Sequence, residues 1–472
     1  MLELIIVTRQ SLSFWRDNQR GLFAVHLAFH PDASVNFAEK AAKLRERLGM
    51  SPNLSPRADP TDFPIDPHVQ ATIGTDDIID VGPSGRLDFS GTETARYFKR
   101  GEQVVSVEAQ DYQQLRKLAE QMQATTDLRD TVSVNTVVDI LVEWFQASAG
   151  EESESAPDYV LRKCTAAIAD RAVVIPIHEL YVESPIDMGR ITIRPVDRRT
   201  LDTWMEQAFA EVSDRQRIQV AVNRWRAEMQ GRAAAERRIT AEPRRAVEVA
   251  RREAESALAL LALFHPAMFH PGFQSHCVLL GSQHVDSAVH VTLRENRYES
   301  KQNYMLPPFP IPWKLSNATI QEYRQLGLDD AAALLRSEAP TKYQKKVLEA
   351  LLLFTRSALT RELSERLLYM IVALETLLLR DRSEAIAQNI AERVAFLVAT
   401  KAADRQQVVA HVKAAYGLRS EFVHHGATVE EMQTVQNFMH HAWDFFNAAL
   451  RNSSKFKTRD ELFELIDHLK FS

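Results

Sequence analysis

Cysteine is scarce in this chain. Its 472 residues include only two cysteines, Cys164 and Cys277, which lie far apart in the sequence. Two thiols cannot build a disulfide framework, and they do not match the ligand spacing of a zinc finger. So few cysteines are typical of proteins from a reducing compartment, and the sequence therefore favours the cytoplasm.

Several short catalytic motifs are also missing. The chain has only 15 glycines, and none belongs to a G-x-x-x-x-G-K-[ST] phosphate loop or to a G-x-S-x-G nucleophile turn. The zinc motif H-E-x-x-H is absent as well. These absences argue against ordinary nucleotide hydrolases, esterases and metalloproteases.

No apolar run reaches the length that crosses a membrane. The longest candidate, LLYMIVALETLLL, is interrupted by Glu375 and is shorter than the roughly 20 residues that a membrane helix needs. The first ten residues, MLELIIVTRQ, lack the basic start, the long apolar stretch and the small-residue cleavage site of a signal peptide. We therefore expect a cytoplasmic protein without a membrane partner.

Positive charge is not in excess over the whole chain. The formal net charge is −6, so any contact with nucleic acid has to come from a local patch. Residues 215–252 contain eleven arginines and four glutamates, a local charge of +7. Two interpretations stay open, a solvated helix surface and a phosphate-binding face. The second would place RNA contacts at Arg237, Arg238, Arg244 and Arg245.

What the sequence does contain is a mixed N-terminal half and a helical C-terminal third. The stretch SAGEESESAP is small, acidic and poor in apolar residues, which is typical of a linker. We predict an α+β fold with four parts. They are a mixed N-terminal region of unknown role (1–147), an acidic linker (148–157), a middle region with strands and a long arginine-rich helix (158–328), and a helical bundle (329–472).

Individual elements of the first three parts follow from hydrophobic periodicity. The residues from about 200 to 263 predict one long helical region. The other predicted helices are NFAEKAAKLRERLG (36–49), AQDYQQLRKLAEQMQ (109–123) and NTVVDILVEWFQAS (135–148), the last with Asn135 as its N-cap. The predicted strands are AVVIPIHELYV (172–182), GRITIRPV (189–196), FQSHCVLLG (273–281) and SAVHVTLREN (287–296).

A group of histidines in the middle region does not predict a metal site. Their spacing repeats no ligand motif, and prolines follow two of them directly. We interpret them as structural and predict no metal or cofactor. They are His265, His270, His276, His284 and His290.

The C-terminal third is typical of an antiparallel helical bundle. The stretch SERLLYMIVALETLLL is apolar nearly all round, which predicts a buried central helix. Glu375 inside it requires a buried donor, such as an arginine of the bundle. Asp404 and Gln407 are spaced as a helix-start pair, and Gly426 is placed as a C-terminal stop.

Arg419 and His424 near this stop permit two interpretations. On a straight helix, residues five apart are separated by about 140°, so the two side chains share a groove only if the helix edge lies along it or the last turn unwinds. An arginine at a helix C-terminus can also simply complement the carbonyl dipole. Spacing alone does not decide between an ordinary helix end and a catalytic pair.

Three stretches of the C-terminal third resemble the Apea-like branch of the HEPN superfamily. They are ERLLYMIVALETLL (365–378), NIAERVAFLVA (389–399) and YGLRSEFVHHG (416–426). The last carries the R-x4-H signature of that superfamily as Arg419 and His424. The stretch IPIHELYVESPIDMGRITIRPVD (175–197) is similar to the strand pair that precedes the bundle in these proteins.

The resemblance implies a metal-independent endoribonuclease that works as a homodimer and takes part in bacterial defence against phage or in a stress response. It assigns catalysis to Arg419 and His424. Residues with a possible supporting role are Ser420, Glu421, His425 and Glu375. The alternative is a non-catalytic HEPN module that binds RNA or a protein partner.

Overall fold

The computed structural model confirms the α+β class and divides the chain into two compact units. We call residues 10–171 with 239–248 the N-terminal unit, and residues 1–9, 172–238 and 249–472 the bundle unit. The structure describes residues 6–8, 27–50, 85–87, 93–100, 103–147, 154–208, 219–220, 222–223, 226–227, 229–280, 288–294, 297–303, 312–381 and 383–471.

Helices α1 (Pro31–Met50), α2 (Ala109–Gln123), α3 (Thr126–Arg129), α4 (Val134–Ala147) and α5 (Ala156–Ala167) belong to the N-terminal unit. Strands β2 (Gly85–Leu87), β3 (Glu93–Arg100) and β4 (Gln103–Glu108) form an antiparallel sheet. One apolar core joins these elements through side chains that are at most 2% exposed, among them Leu44, Leu115, Leu141 and Val160. The three helices predicted for this region are therefore confirmed.

The N-cap of α4 differs from the prediction. Asn135 lies inside the helix, which begins at Val134. Ser133 caps it instead, because its Oγ accepts the backbone N–H of Thr136 at 3.2 Å. Of the segment 148–157, the described residues begin at Glu154, and Ser155 caps α5 by accepting the N–H of Asp158. The contact-defined units place their boundary at 171/172.

A five-stranded sheet in the order β1-β5-β9-β8-β7 lies in the middle of the chain. Its strands are β1 (Ile6–Thr8), β5 (Ala169–Pro176), β7 (Ile186–Met188), β8 (Ile191–Pro195) and β9 (Ala233–Ala241). A parallel pair consists of β6 (Leu180–Val182) and β12 (Trp313–Leu315). The hairpin β10 (Ala288–Arg294) and β11 (Arg297–Asn303) confirms the strand predicted at 287–296.

The single helical region predicted from about 200 to 263 is wrong. Helix α6 (Arg198–Ala208) and helix α7 (Pro243–Ala262) are separated by strand β9. The residues Ala233–Ala235 pair with β8 and are at most 2% exposed. Alanine and arginine favour a helix locally, but pairing with a buried neighbouring strand overrides that preference. Gly231, at φ +84°, forms the turn that leads into β9.

The strand predicted at 273–281 is also wrong. Only one isolated bridge forms there, between Leu279 and Ile177. The N–H of Ser275 donates to the carbonyl of Ala358 at 2.7 Å, and the carbonyl of Phe273 accepts from Arg366 at 2.9 Å. The first half of this segment is therefore bonded to the bundle. Its second half makes two backbone hydrogen bonds at the end of β5, from His178 to Val278 and from Leu280 to Pro176, both at 2.8 Å, and these do not extend into a ladder of strands among the described residues.

The C-terminal bundle begins after two shorter helices, α8 (Asn317–Leu326) and α9 (Leu328–Arg336). Its helices are α10 (Lys342–Arg356), α11 (Leu363–Leu378), α12 (Ile386–Val398), α13 (Ala402–His425), α14 (Met432–Arg451) and α15 (Arg459–Phe471). Helix α11 is central, as predicted, with Leu367, Met370, Ile371, Leu374 and Leu377 all at 0% exposure. No helix in the described ranges is long and apolar enough to cross a membrane.

Helix α13 carries the R-x4-H motif, and its two ends were predicted with different success. Its N-cap is Lys401, which makes no side-chain cap, and Asp404 lies in the first turn. The predicted start pair of Asp404 and Gln407 is therefore wrong. The predicted stop at Gly426 is confirmed, because this glycine caps α13 at φ +67°, a left-handed conformation that favours glycine.

Candidate functional site

The last two turns of α13 are more exposed than the turns before them. Val408, Val412, Ala415 and Tyr416 are buried along one side of the helix, whereas none of residues 417–425 is buried. The helix stays regular to its end, since the N–H of Gly426 donates to the carbonyl of Phe422 at 2.9 Å. The last turn therefore does not unwind, and one of the two ways of bringing Arg419 and His424 together is excluded.

His424 is exposed at the end of α13. The other polar residues singled out on this stretch, Ser420, Glu421 and His425, are exposed as well. In the described part of the chain, no hydrogen bond or ion pair involves the side chains of these four residues. An imidazole in this position can exchange protons with solvent or with a ligand.

Arg419 has a different environment, because it is half-buried on the side of α13 that faces the bundle. Its Nε is shielded from solvent and has no hydrogen-bond partner among the described residues. The helix places it three residues after Tyr416, so the two side chains are neighbours on one face. The charge of Arg419 acts on the Tyr416 hydroxyl, where it favours the phenolate.

Five other described arginines also have a shielded Nε without a partner, and they show why Arg419 is unusual. Each of the five uses its terminal nitrogens in a hydrogen bond or an ion pair. Arg419 makes neither with any described residue. A half-buried guanidinium without an acceptor is costly unless a ligand supplies one. The five are Arg96, Arg194, Arg226, Arg245 and Arg366.

Glu375 has a buried donor, as expected, but that donor is a tyrosine and not an arginine. The Tyr416 hydroxyl donates to Glu375 Oε1 at 3.2 Å. Burial, followed by the charge of Glu375, raises the pKa of Tyr416 far above its ordinary value, so the hydroxyl remains a donor. Glu375 is therefore bonded to Tyr416, whose hydroxyl also feels the charge of Arg419, and it makes no ion pair with a described arginine.

The helix separates Arg419 and His424 by about 140° around its axis and by about 7.5 Å along it. Arg419 faces the edge of the bundle and His424 faces solvent. Within one chain the structure does not bring the pair onto a single reacting group. What α13 presents is one cation that lacks an acceptor and one titratable imidazole, on adjoining sides of an exposed helix end.

A histidine pair that the sequence interpretation missed joins α13 to α14. His411 Nδ1 and His441 Nε2 are 3.0 Å apart, and the two rings stack with centroids at 5.2 Å. Burial, then His411 and His440, lowers the pKa of His441 to about 4. The repeated histidine at 440–441 was the only sequence signal. No group of three or more potential metal ligands occurs among the described residues.

The four arginines considered for RNA binding have internal partners. Arg237 Nε lies 2.6 Å from Glu253, and Arg244 pairs with Asp139. Arg245 Nη2 donates to the carbonyl of Arg129 at 3.0 Å. Arg238 is the most exposed of the four, at 70%, and lies 3.2 Å from Glu236. Neutralisation by nearby carboxylates weakens the case for a phosphate-binding face at these positions.

Comparison with known proteins adds no further constraint. No family model matches the chain, and no curated protein or solved structure matches it either. The HEPN resemblance therefore stays a prediction from the residues themselves.

Proposed function

We propose that this chain is a metal-independent endoribonuclease in which Arg419 and His424 act on the scissile phosphate. The observation that carries the proposal is the Arg419 guanidinium, which is half-buried at an exposed helix end without a hydrogen bond or ion pair to any described residue. Phosphate oxygens are among the acceptors that the planar guanidinium fork binds with two parallel hydrogen bonds. The exposed His424 on the same helix end supplies the titratable group that the reaction needs.

The chemistry requires few protein groups because RNA carries its own nucleophile. A neutral imidazole removes the proton of the ribose 2′-hydroxyl, and the oxygen attacks the adjacent phosphorus. The bond from phosphorus to the 5′-oxygen breaks, and that oxygen leaves with a proton from an imidazolium. Arg419 stabilises the negative charge that accumulates on the phosphoryl oxygens. The products are a 2′,3′-cyclic phosphate and a free 5′-hydroxyl.

The divergence of the two side chains on α13 supports a site shared between two copies of the chain. Arg419 of one copy and His424 of the other can approach one phosphate if the exposed ends of α13 pack side by side. We therefore propose a homodimer formed through the bundle. A role as an effector in anti-phage or stress defence belongs to the same proposal.

The same divergence also favours one competing function, a non-catalytic module that binds RNA. A single chain with separated Arg419 and His424 can hold a phosphate at the arginine without cleaving it. The two candidates differ in what the histidine does. Cleavage requires His424, whereas binding alone requires Arg419 and tolerates the loss of the imidazole.

The test is cleavage of a mixed-sequence RNA by the purified chain in buffer with EDTA. We expect cyclic-phosphate products, and a rate reduced at least about 100-fold in Arg419→Ala and in His424→Asn. The matched controls are Arg361→Ala and His468→Asn, which change an exposed arginine and an exposed histidine in the last turn of another helix. Retained cleavage in both motif variants would overturn the proposal, as would a strict requirement for a divalent ion.

A mixing experiment separates the shared site from a site within one chain. When Arg419→Ala and His424→Asn proteins are combined, a mixed dimer keeps one intact arginine and one intact histidine. We expect cleavage to return in the mixture, with light scattering reporting the dimer. A strictly monomeric protein that cleaves RNA would contradict the shared site.

A further inference from the structure

A cavity of the N-terminal unit lies between α1 and α2. Its volume is about 630 Å³, which is within the range of small-molecule sites. We call it the α1–α2 groove. Residues of both helices line it: Lys40, Lys43, Leu44, Glu46 and Arg47 from α1, and Gln114, Lys117, Leu118 and Gln121 from α2.

The α1–α2 groove has an apolar base and positively charged side chains around it. Leu44 and Leu118 are 2% and 3% exposed and form that base. Three lysines and one arginine line the groove beside these leucines, and Glu46 is the one carboxylate among the lining residues that the structure describes. Helical spacing of three and four residues places Lys40, Lys43 and Arg47 in one row. Lys117 faces this row from the opposite wall.

The cations of the groove are poorly compensated within the protein. Lys40 Nζ donates to Gln121 Oε1 at 2.8 Å, so its partner is a neutral amide. Arg47 donates to the amide oxygen of Gln114 and lies 3.6 Å from Asp111. In the part of the chain that the structure describes, neither Lys43 nor Lys117 makes a hydrogen bond or an ion pair. Like charges facing each other across a groove repel unless an anion lies between them.

We infer that the α1–α2 groove binds a compact ligand that carries two or more phosphate groups. Cations on both walls match an anion held between them, and a row of cations along α1 matches several charged groups in series. Among the described residues, the lining contains no aromatic side chain, so the described part of the groove offers no stacking platform of the kind on which single-stranded nucleic acids depend. The phosphates, and not bases, are therefore what this site recognises. The inference does not depend on the ribonuclease proposal.

Inorganic triphosphate is the probe for this site, added to the full-length chain in magnesium-free buffer of low ionic strength and followed by calorimetry. We expect saturable binding with one triphosphate per chain. Lys43→Gln and Lys117→Gln should each weaken it about tenfold, because each removes one charge-assisted contact, and the double variant should weaken it about 100-fold. Both lysines are exposed and make no contact that folding needs, so the unfolding temperature should not change.

The control is Lys342→Gln/Lys345→Gln, which removes two exposed lysines of α10 and alters the net charge by the same amount. Triphosphate affinity should be unchanged in this protein. Equal affinity in the groove variants and the control would overturn the inference, and so would the absence of saturable binding. A 12-nucleotide single-stranded RNA that binds more tightly than triphosphate and is lost in the same groove variants would overturn the compact-ligand assignment.

Discussion

Two regions of the bundle unit contain an arginine with a histidine, and the two pairs have opposite environments. At the start of α11, Arg366 is 1% exposed and His265 is 5% exposed. Arg366 donates to the carbonyls of Pro271 at 2.8 Å and Phe273 at 2.9 Å, and to that of Ala267. At the end of α13, Arg419 is half-buried without such acceptors and His424 is exposed.

The difference shows that residue type does not decide what an arginine or a histidine does. Burial lowers the pKa of Arg366 to about 10, and three backbone carbonyls hold its charge in place. Burial, then His276 and Arg366, lowers the pKa of His265 to about 4, so the imidazole is neutral. This first pair stabilises the fold. The second pair keeps its bonding capacity and its access to solvent, which a ligand site needs.

The largest expected effect tests the buried pair and comes from replacing Arg366. Arg366→Met leaves the carbonyls of Ala267, Pro271 and Phe273 without their shared donor. We expect the free energy of unfolding, measured by chemical denaturation, to fall by about 3 kcal/mol, because buried carbonyls that lose their donor cost about 1–3 kcal/mol each. Arg361→Met, at an exposed position nearby in the sequence, should change it by less than about 0.5 kcal/mol. If both variants lower the free energy of unfolding equally, the hydrogen bonds from Arg366 to the three carbonyls do not stabilise the fold.

The second expected effect is a pH dependence of stability that arises from the buried His265. The pKa of His265 is lowered from 6.5 to about 4 in the folded state, so its contribution to stability is fully present above pH 6.5. That contribution is lost as the pH falls from 6.5 towards 4, by up to about 3 kcal/mol. We expect His265→Asn to flatten the pH dependence of unfolding over this interval, since asparagine can accept the same N–H without titrating.

His270 provides the matched control for that experiment. Its Nδ1 accepts the N–H of Gly272 at 3.3 Å, just as Nδ1 of His265 accepts the N–H of Ala267 at 3.0 Å. His270 is exposed, however. His270→Asn keeps His265 in place, so the loss of stability between pH 6.5 and 4 should remain in this variant, and a profile that flattens equally in the two variants would contradict the role of His265.

The smallest effect tests whether α13 truly remains helical to His425. Gly426 has φ +67° and no atom near the position of a Cβ, so Gly426→Ala should cost about 1–2 kcal/mol through backbone strain alone. Gly417 lies inside the helix, also with open space around its Cβ position. Gly417→Ala should raise the free energy of unfolding by up to about 1 kcal/mol. If denaturation curves show that both substitutions change the free energy of unfolding in the same direction, α13 ends before Gly426.

The sequence predicted the helices that depend on local pattern. The helices at 109–123 and 363–378 and the stop at Gly426 follow from apolar periodicity and from the conformational freedom of glycine. The arginine-rich region was predicted less well, because Ala233–Ala241 combines good helix formers with a strand conformation. Only the pairing with β8 makes that segment a strand, and no local rule contains this information.

The candidate site was likewise predicted from the sequence only in part. The R-x4-H pattern singled out Arg419 and His424 as candidates, and helix geometry gave their separation of about 140° around the axis, but spacing alone did not decide their role. It did not identify Tyr416 as the partner of Glu375, nor the histidine pair of His411 and His441. Both contacts join residues of different helices, and the packing of the bundle alone brings them together.

By itself, the amino-acid sequence determined the α+β class, the apolar central helix and the helix end that displays the R-x4-H motif, because each depends on residues that are neighbours along the chain. The tertiary structure decided that Arg366 is bonded to three carbonyls and that Arg419 has no acceptor among the described residues, and it formed a cationic groove between α1 and α2. The reason is physical. Burial and bonding depend on which distant segments pack against a side chain, and identical residue types acquire different chemistry when those segments differ.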